Sequence, residues 1–424
     1  MSARRPLSVA HAALRVGLVL ALSSFGGTLR ADDADPSAPL VVSIGDATSP
    51  SPVERGDLAR TNRSHTAFPT EPAELDRRTI GSFAQVPIAT GDGGLLVALS
   101  SPEILRLNSQ AEEVFRTRIG SAQATRPLVM LPDGGFAALT ALPSVVFLSK
   151  NGKVQATVPL PKTSFATQNP AMGIGEGFSS IAPTADGAVA IAALRSFMII
   201  EASGAVRTRV DLPEPIATDL VRSNDGWLVI TTSGTVYRIA SPGPPLKVGA
   251  FPGPPLSPAV LADDRTLVAQ AAGSRIVSLD LKSGATVVRA SEQGFASFDA
   301  PFAMDADGGY AVTTSEGFLV RYDAGGAEVS RTPIDRGAGA STAMAVLGRV
   351  PQAQGPRGAV ATDTNGNVAF ARPSGRFGVR AADGKVHIAS ERVCQTPTAI
   401  VPVADERVVV VCREGTLLFY GSGK

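Results

Sequence analysis

The chain has 424 residues, 44% of them hydrophobic and 18% charged, with a formal net charge of +1. The apolar share suffices for a packed core and excludes wholesale disorder. The balanced charge argues against the basic face with which a nucleic-acid binder neutralises phosphates.

Residues 1–31 read as a secretory signal peptide. Arg4 and Arg5 give a basic start, and Val16–Leu29 is an uncharged stretch rich in Leu, Val and Ala. That run of 14 residues is too short for a bilayer span of about 20 residues. The mature chain is therefore expected to be exported, periplasmic or secreted, with no transmembrane span. Removing the leader takes away Arg4, Arg5, Arg15 and Arg30 and no acid, which leaves a net charge of −3. Residues 32–72 are dominated by Pro, Ser, Asp and Arg and read as a disordered linker, with a single strand at 40–44 as the structured alternative.

From residue 73 the chain repeats itself. A turn recurs as GDGG (91–94), PDGG (132–135), ADGA (185–188), NDGW (224–227), ADDR (262–265), ADGG (306–309), TNGN (364–367) and ADER (404–407). The acidic or amide markers, Asp92 to Asp405, are spaced by 41, 53, 39, 39, 43, 58 and 40 residues. Asp-Gly and Asn-Gly steps favour the positive φ angles of a two-residue hairpin. A period near 40 with four short β-prone runs per unit is that of a β-propeller blade. Residues 73–424 are thus expected to form an all-β, eight-bladed propeller of four-stranded antiparallel blades. The eighth set of strands stops after its third. RRTIGSFAQVP (77–87) mirrors RTRIGSAQATRP (116–127), so residues 73–81 are expected to supply the missing outer strand beside 415–420.

The unit SPAVLADDRTLVAQAAGSRIVSLDLKSGATVVRAS (257–291) and the last blade, TPTAIVPVADERVVVVCREGTLLFYGSGK, resemble the pyrroloquinoline-quinone-type propeller repeat. The family's hallmark Trp of the fourth strand is missing. Phe115 stands there in blade 1, and the lone Trp227 begins a second strand. The repeat type is shared by quinoprotein dehydrogenases and by the non-catalytic, eight-bladed propeller lipoprotein of outer-membrane barrel assembly. The resemblance to that branch implies a scaffold, although this chain has no Cys before Cys394 to carry a lipid.

Candidates for chemistry are few. His11 lies in the leader, His65 in the linker and His387 in an outer strand, none of them placed to reach a propeller channel. That disfavours His-based acid–base work, Ser-His-Asp triads and His-ligated metals. Of the acids in the expected inner strands only Asp219 and Asp305 stand out, which is too few for a carboxylate cation site or a glycosidase pair. No catalytic residue, cofactor or metal is expected. Arg126, Asp219 and Arg357 fall near the starts of three inner strands on one face. They form either a polar rim for an anionic or peptide ligand or a solvated edge. Cys394 and Cys412, 18 apart, form either a disulfide at one end of blade 8 or two buried thiols.

The two long spacings place insertions at 162–179 and 335–358, on opposite blades and on one face. They carry Phe165 and Met172, and Met344, Val346 and Leu347. Long loops on a rigid scaffold are usual places for binding; tolerated insertion is the bland alternative. The reading that follows is a monomeric, non-catalytic exported propeller that binds an envelope or extracellular protein, with no nucleic-acid partner. The opposing class is a propeller enzyme, quinoprotein-like or a lyase or hydrolase.

Overall fold

The structure, a computed structural model, describes residues 63–81, 85–160, 179–240, 243–272, 274–292, 297–335, 358–394 and 397–423. They form eight four-stranded antiparallel sheets. Blade 6 is representative. Its strands are Ala303–Met304, Tyr310–Thr313, Phe318–Tyr322 and Glu328–Pro333, paired in chain order. The second strands are near-continuous buried runs, such as Val189–Ala193 in blade 3, because a sheet sandwiched between two neighbours buries both faces. Fourth strands alternate exposed and half-buried residues, as in Glu113–Arg118 of blade 1. Among the described residues no helix is long and apolar enough to cross a membrane.

Blade 8 closes the ring as expected. Its three C-terminal strands, Pro397–Ala404, Arg407–Cys412 and Thr416–Ser422, are completed by Pro72–Thr79. The register runs from Pro72↔Ser422 to Thr79↔Thr416. Beyond it the Ile80 N–H donates to the Gly415 carbonyl at 2.9 Å. This pairing covers an edge that would otherwise offer unpaired backbone groups.

The two-residue hairpins expected occur in blade 4, where Ser223 pairs with Gly226, and in blade 8, where Ala404 pairs with Arg407; most of the other turns are longer. In blade 1 the Gly93 N–H donates to the Thr90 carbonyl and the Thr90 N–H to the Gly94 carbonyl. Only Gly93 has positive φ, at 77°. This is a three-residue hairpin with a glycine bulge, repeated at Gly134, Gly187, Gly308 and Gly366. The aspartate does not need positive φ; it accepts from the turn backbone, as Asp133 Oδ1 does from the Gly135 N–H at 2.9 Å. A second feature has no sequence signature. Every third-to-fourth strand pair, in all eight blades, carries a register shift. Bulges on the outermost strand increase its twist and blunt it as a template for pairing with another chain.

The end of the supposed linker is packed on the propeller. Arg63 and Ser64 are buried, and Phe68 joins the apolar cluster between blades 7 and 8. The Phe68 N–H donates to Asp363 Oδ2 at 2.7 Å, and the Glu406 N–H donates to the Ala67 carbonyl at 2.8 Å. A polar composition concealed this, because one Phe and backbone hydrogen bonds suffice to dock an extended segment. The rest of 32–72, including 40–44, lies outside the described residues.

Strand direction divides the turns between two faces. First-to-second and third-to-fourth strand turns lie on one, called here the turn face. Second-to-third turns and the links to the next blade lie on the other, the connection face.

Candidate binding face

Among the described residues singled out in the sequence, Arg126 and Asp219 lie toward the connection face. The long links join Val154–Pro159 of blade 2 to Ser179–Pro183 of blade 3, and Glu328–Pro333 of blade 6 to Ala359–Thr362 of blade 7. Phe165, Met172, Met344, Val346, Leu347 and Arg357 all lie outside the described residues. Arg126 precedes the inner strand of blade 2 and is half-buried; Asp219 precedes that of blade 4 and is 8% exposed. Their backbones are held in extended form by neighbours: the Thr125 N–H donates to the Leu139 carbonyl and the Ala217 N–H to the Ile230 carbonyl, each at 2.8 Å. His387 sits in the outer strand Val386–Ser390, exposed. Arg222, in the inner strand of blade 4, lies over the Trp227 ring at 5.2 Å, and burial lowers its pKa.

The best-built feature of this face is an ion cluster at the root of the 336–357 link. Arg372 closes the second-to-third strand turn of blade 7 and is almost fully buried. Its guanidinium reaches Asp335 Oδ2 at 2.6 Å, Asp299 Oδ2 at 2.9 Å and the Thr314 carbonyl at 2.9 Å. Arg376 donates to the Ile334 carbonyl at 2.6 Å, lies 3.7 Å from Asp335 Oδ1 and donates from Nε to Glu391 Oε2 at 2.8 Å. Two cations thus meet three carboxylates from blades 6 and 7. A buried pair of this kind adds little net stability, but removing one partner leaves a charge stranded, at a cost of about 3–5 kcal/mol. Its chemical effect is positional: Asp335, where the long link begins, is tied from two sides.

The cluster abuts the closing blade. Gly375 has φ of +89°, and a Cβ there would lie 2.4 Å from the Cys394 carbonyl oxygen. The Val393 N–H donates to the Gly375 carbonyl at 2.7 Å. Cys394 and Cys412 are joined as a disulfide, with their Cα atoms 6.1 Å apart. Glu414 lies beside the bridge in a grouping of metal-ligand type, but both sulfurs are engaged with each other.

Sequence reasoning missed Asp299, Asp335, Arg372, Arg376 and Glu391. One signal was available. The turn position that Arg372 fills is held by Thr140, Thr231 and Thr314 in blades 2, 4 and 6, each donating its N–H to the carbonyl four positions on. An arginine replacing the repeat's threonine marks a blade whose turn has another task. Asp299, half-buried, and Asp363, fully buried, were missed because the inner strands were drawn without the residues just beyond their ends.

No protein-family model matches the sequence, and no curated protein matches it. Solved structures do match. The computationally designed Ika8 protein has a TM-score of 0.59 at 12% identity, covering 83% of this chain and 99% of its own. The Neurospora crassa Pan2 WD40 domain gives 0.48 at 10% identity, with 85% and 98% covered. Virginiamycin B lyase from Staphylococcus aureus gives 0.44 at 11% identity, with 83% and 98% covered. The first is a likeness of fold; the other two carry no argument.

Proposed function

We propose that this chain is an exported, non-catalytic propeller that binds a protein partner through its connection face. The observation that carries the reading is the paired placement of the long links. They leave the same face from blades on opposite sides of an eight-fold ring, and one is rooted in the buried Arg372–Asp335 cluster. A rigid ring whose two longest links leave one face is suited to present surface there. Export is supported by the basic and apolar leader and by a disulfide, a bond that persists in oxidising compartments. The resemblance of blades 5 and 8 to the pyrroloquinoline-quinone-type repeat, in its non-catalytic branch, supports a scaffold of the cell envelope.

The test shortens each link to a four-residue turn. Long surface loops have a small entropic effect on stability, so the variant is expected to fold with an unchanged thermal midpoint. Recovery of a partner from native envelope should fall at least tenfold. Unchanged recovery with both links shortened overturns the reading.

A further inference from the structure

One position of the blade repeat breaks its own rule. Pairing of second and third strands aligns Leu107, Leu148, Ile200, Ile239, Leu279, Tyr322, Arg380 and Tyr420, one from each blade in turn. Seven are apolar or aromatic and fill the seam with the preceding blade. In blade 7 the place is taken by Arg380, opposite Val368, which belongs to the apolar cluster between blades 6 and 7. Arg380 is 8% exposed. Among the described residues its guanidinium makes one long hydrogen bond, from Nη1 to the Ala381 carbonyl at 3.3 Å, and its Nε–H has no acceptor.

The surroundings add donors rather than acceptors. Across the seam Arg321 gives Nη2 to Asp305 Oδ2 at 2.5 Å, and its own buried Nε–H finds no acceptor. Ser330, paired with Arg321 on the adjoining strand, has a buried hydroxyl without a partner. The one acceptor left over is Asp305 Oδ1, and that carboxylate already answers Arg321. Asp363 is saturated by the Phe68, Asn365 and Asn367 N–H groups and by the Asn367 amide. Asp383 is exposed and pairs with Lys385 at 3.4 Å. Burial, and then the charge of Arg321, lower the Arg380 pKa, while the exposed carboxylate of Asp383 acts the other way. Beside it, a Cβ on Gly384 would come within 3.6 Å of Arg380 Nη2.

We propose that the turn-face end of the seam between blades 6 and 7 binds a small oxyanion of the phosphate or sulfate class. Arg380 supplies the charge, and the Arg321 Nε–H and Ser330 hydroxyl supply further donors that have no acceptor. Arginine suits this ligand because its planar fork matches tetrahedral oxyanions. The site lies on the face opposite the long links, so it is independent of the partner-binding reading.

The experiment uses the full chain at fixed ionic strength, replacing chloride by inorganic phosphate or sulfate. A ligand that binds only the folded state raises the thermal midpoint saturably, and a rise of a few degrees is expected. Arg380→Leu installs the side chain of Leu107 in blade 1. It should melt at or above the wild-type midpoint in chloride and respond to phosphate at least tenfold more weakly. Arg380→Gln, which keeps a donor but removes the charge, should respond equally weakly. A phosphate monoester separates the sources: equal affinity indicates a phosphate group on a larger molecule, and exclusion of the ester indicates the free ion. A wild type without a saturable response, or variants that respond as the wild type does, overturns the proposal.

Discussion

The seam linking blades 2, 3 and 4 and the seam between blades 6 and 7 serve the same architectural purpose by different chemistry. Among the described residues the first, which spans two adjoining seams, is the largest apolar cluster, with Phe147, Phe197, Met198, Trp227 and a row of Val and Ile fully or nearly buried. The second is the smallest among the described residues, built on Ala300, Ala303 and Ala311 with Leu319, Ile334, Val360, Val368 and Phe370. Where its side chains are short, charged groups stand at both ends: Arg372 with Asp299 and Asp335 on the connection face, and Arg380 and Arg321 with Asp305 on the turn face. The lesson is that a symmetric repeat can hold its geometry while one seam exchanges apolar area, which is non-directional, for ion geometry, which fixes positions and is open to ligands.

The largest effect is expected where apolar area alone holds the ring. Phe197→Ala deletes a fully buried ring that lies 6.2 Å from Trp227. It should cost about 4 kcal/mol in denaturant unfolding, with no dependence on phosphate. A loss under 1 kcal/mol would show that this seam can collapse around the gap. Next, Arg372→Ala strands Asp299 and should cost about 3 kcal/mol. The double change with Asp299→Ala should recover more than 1 kcal/mol of that by a thermodynamic cycle. Additive losses would mean that the cluster is not one unit.

The neighbouring seam, between blades 7 and 8, sharpens the contrast because the disulfide and the docked segment 63–71 clasp it. Replacing Cys394 and Cys412 by serine should lower stability by about 3 kcal/mol and increase early proteolysis within 63–79. Unaltered cleavage there would separate the bridge from ring closure.

The smallest effect lies on the turn face. The Arg207 hydrogen bond, then that of Thr184, holds the Asp186 carboxyl well below the usual carboxylate range. A depressed folded-state pKa contributes stability above the ordinary value near 4 and loses it as pH falls through the depressed one. Both partners are exposed, so Arg207→Gln should cost about 0.5 kcal/mol or less at pH 7. It should also raise the Asp186 titration midpoint seen by NMR. No change in that midpoint would assign the depression to Thr184.

The repeat's legibility explains what sequence could and could not reveal. Asp-Gly turns at near-constant spacing expose the blade count, and the mirrored RRTIGS and RTRIGS segments expose the closing strand, because both are local and repeated. The outer-strand bulges leave no such trace, since residues as unlike as Val114, Arg207 and Leu75 stand at them. The ion clusters join residues distant in sequence, such as Asp299 and Arg372, 73 positions apart. They become visible only when blades are aligned position by position and the odd arginine is compared with the threonine or leucine it replaces.

Native-state hydrogen exchange tests the difference between the two seams most directly. The account predicts that amides of Phe318–Tyr322 and Phe377–Arg380, which border the seam between blades 6 and 7, exchange earlier than those of Val189–Ala193 and Ser196–Ile200. It also predicts that phosphate slows the first pair of strands alone. Uniform protection across all four strands, unchanged by phosphate, would contradict it.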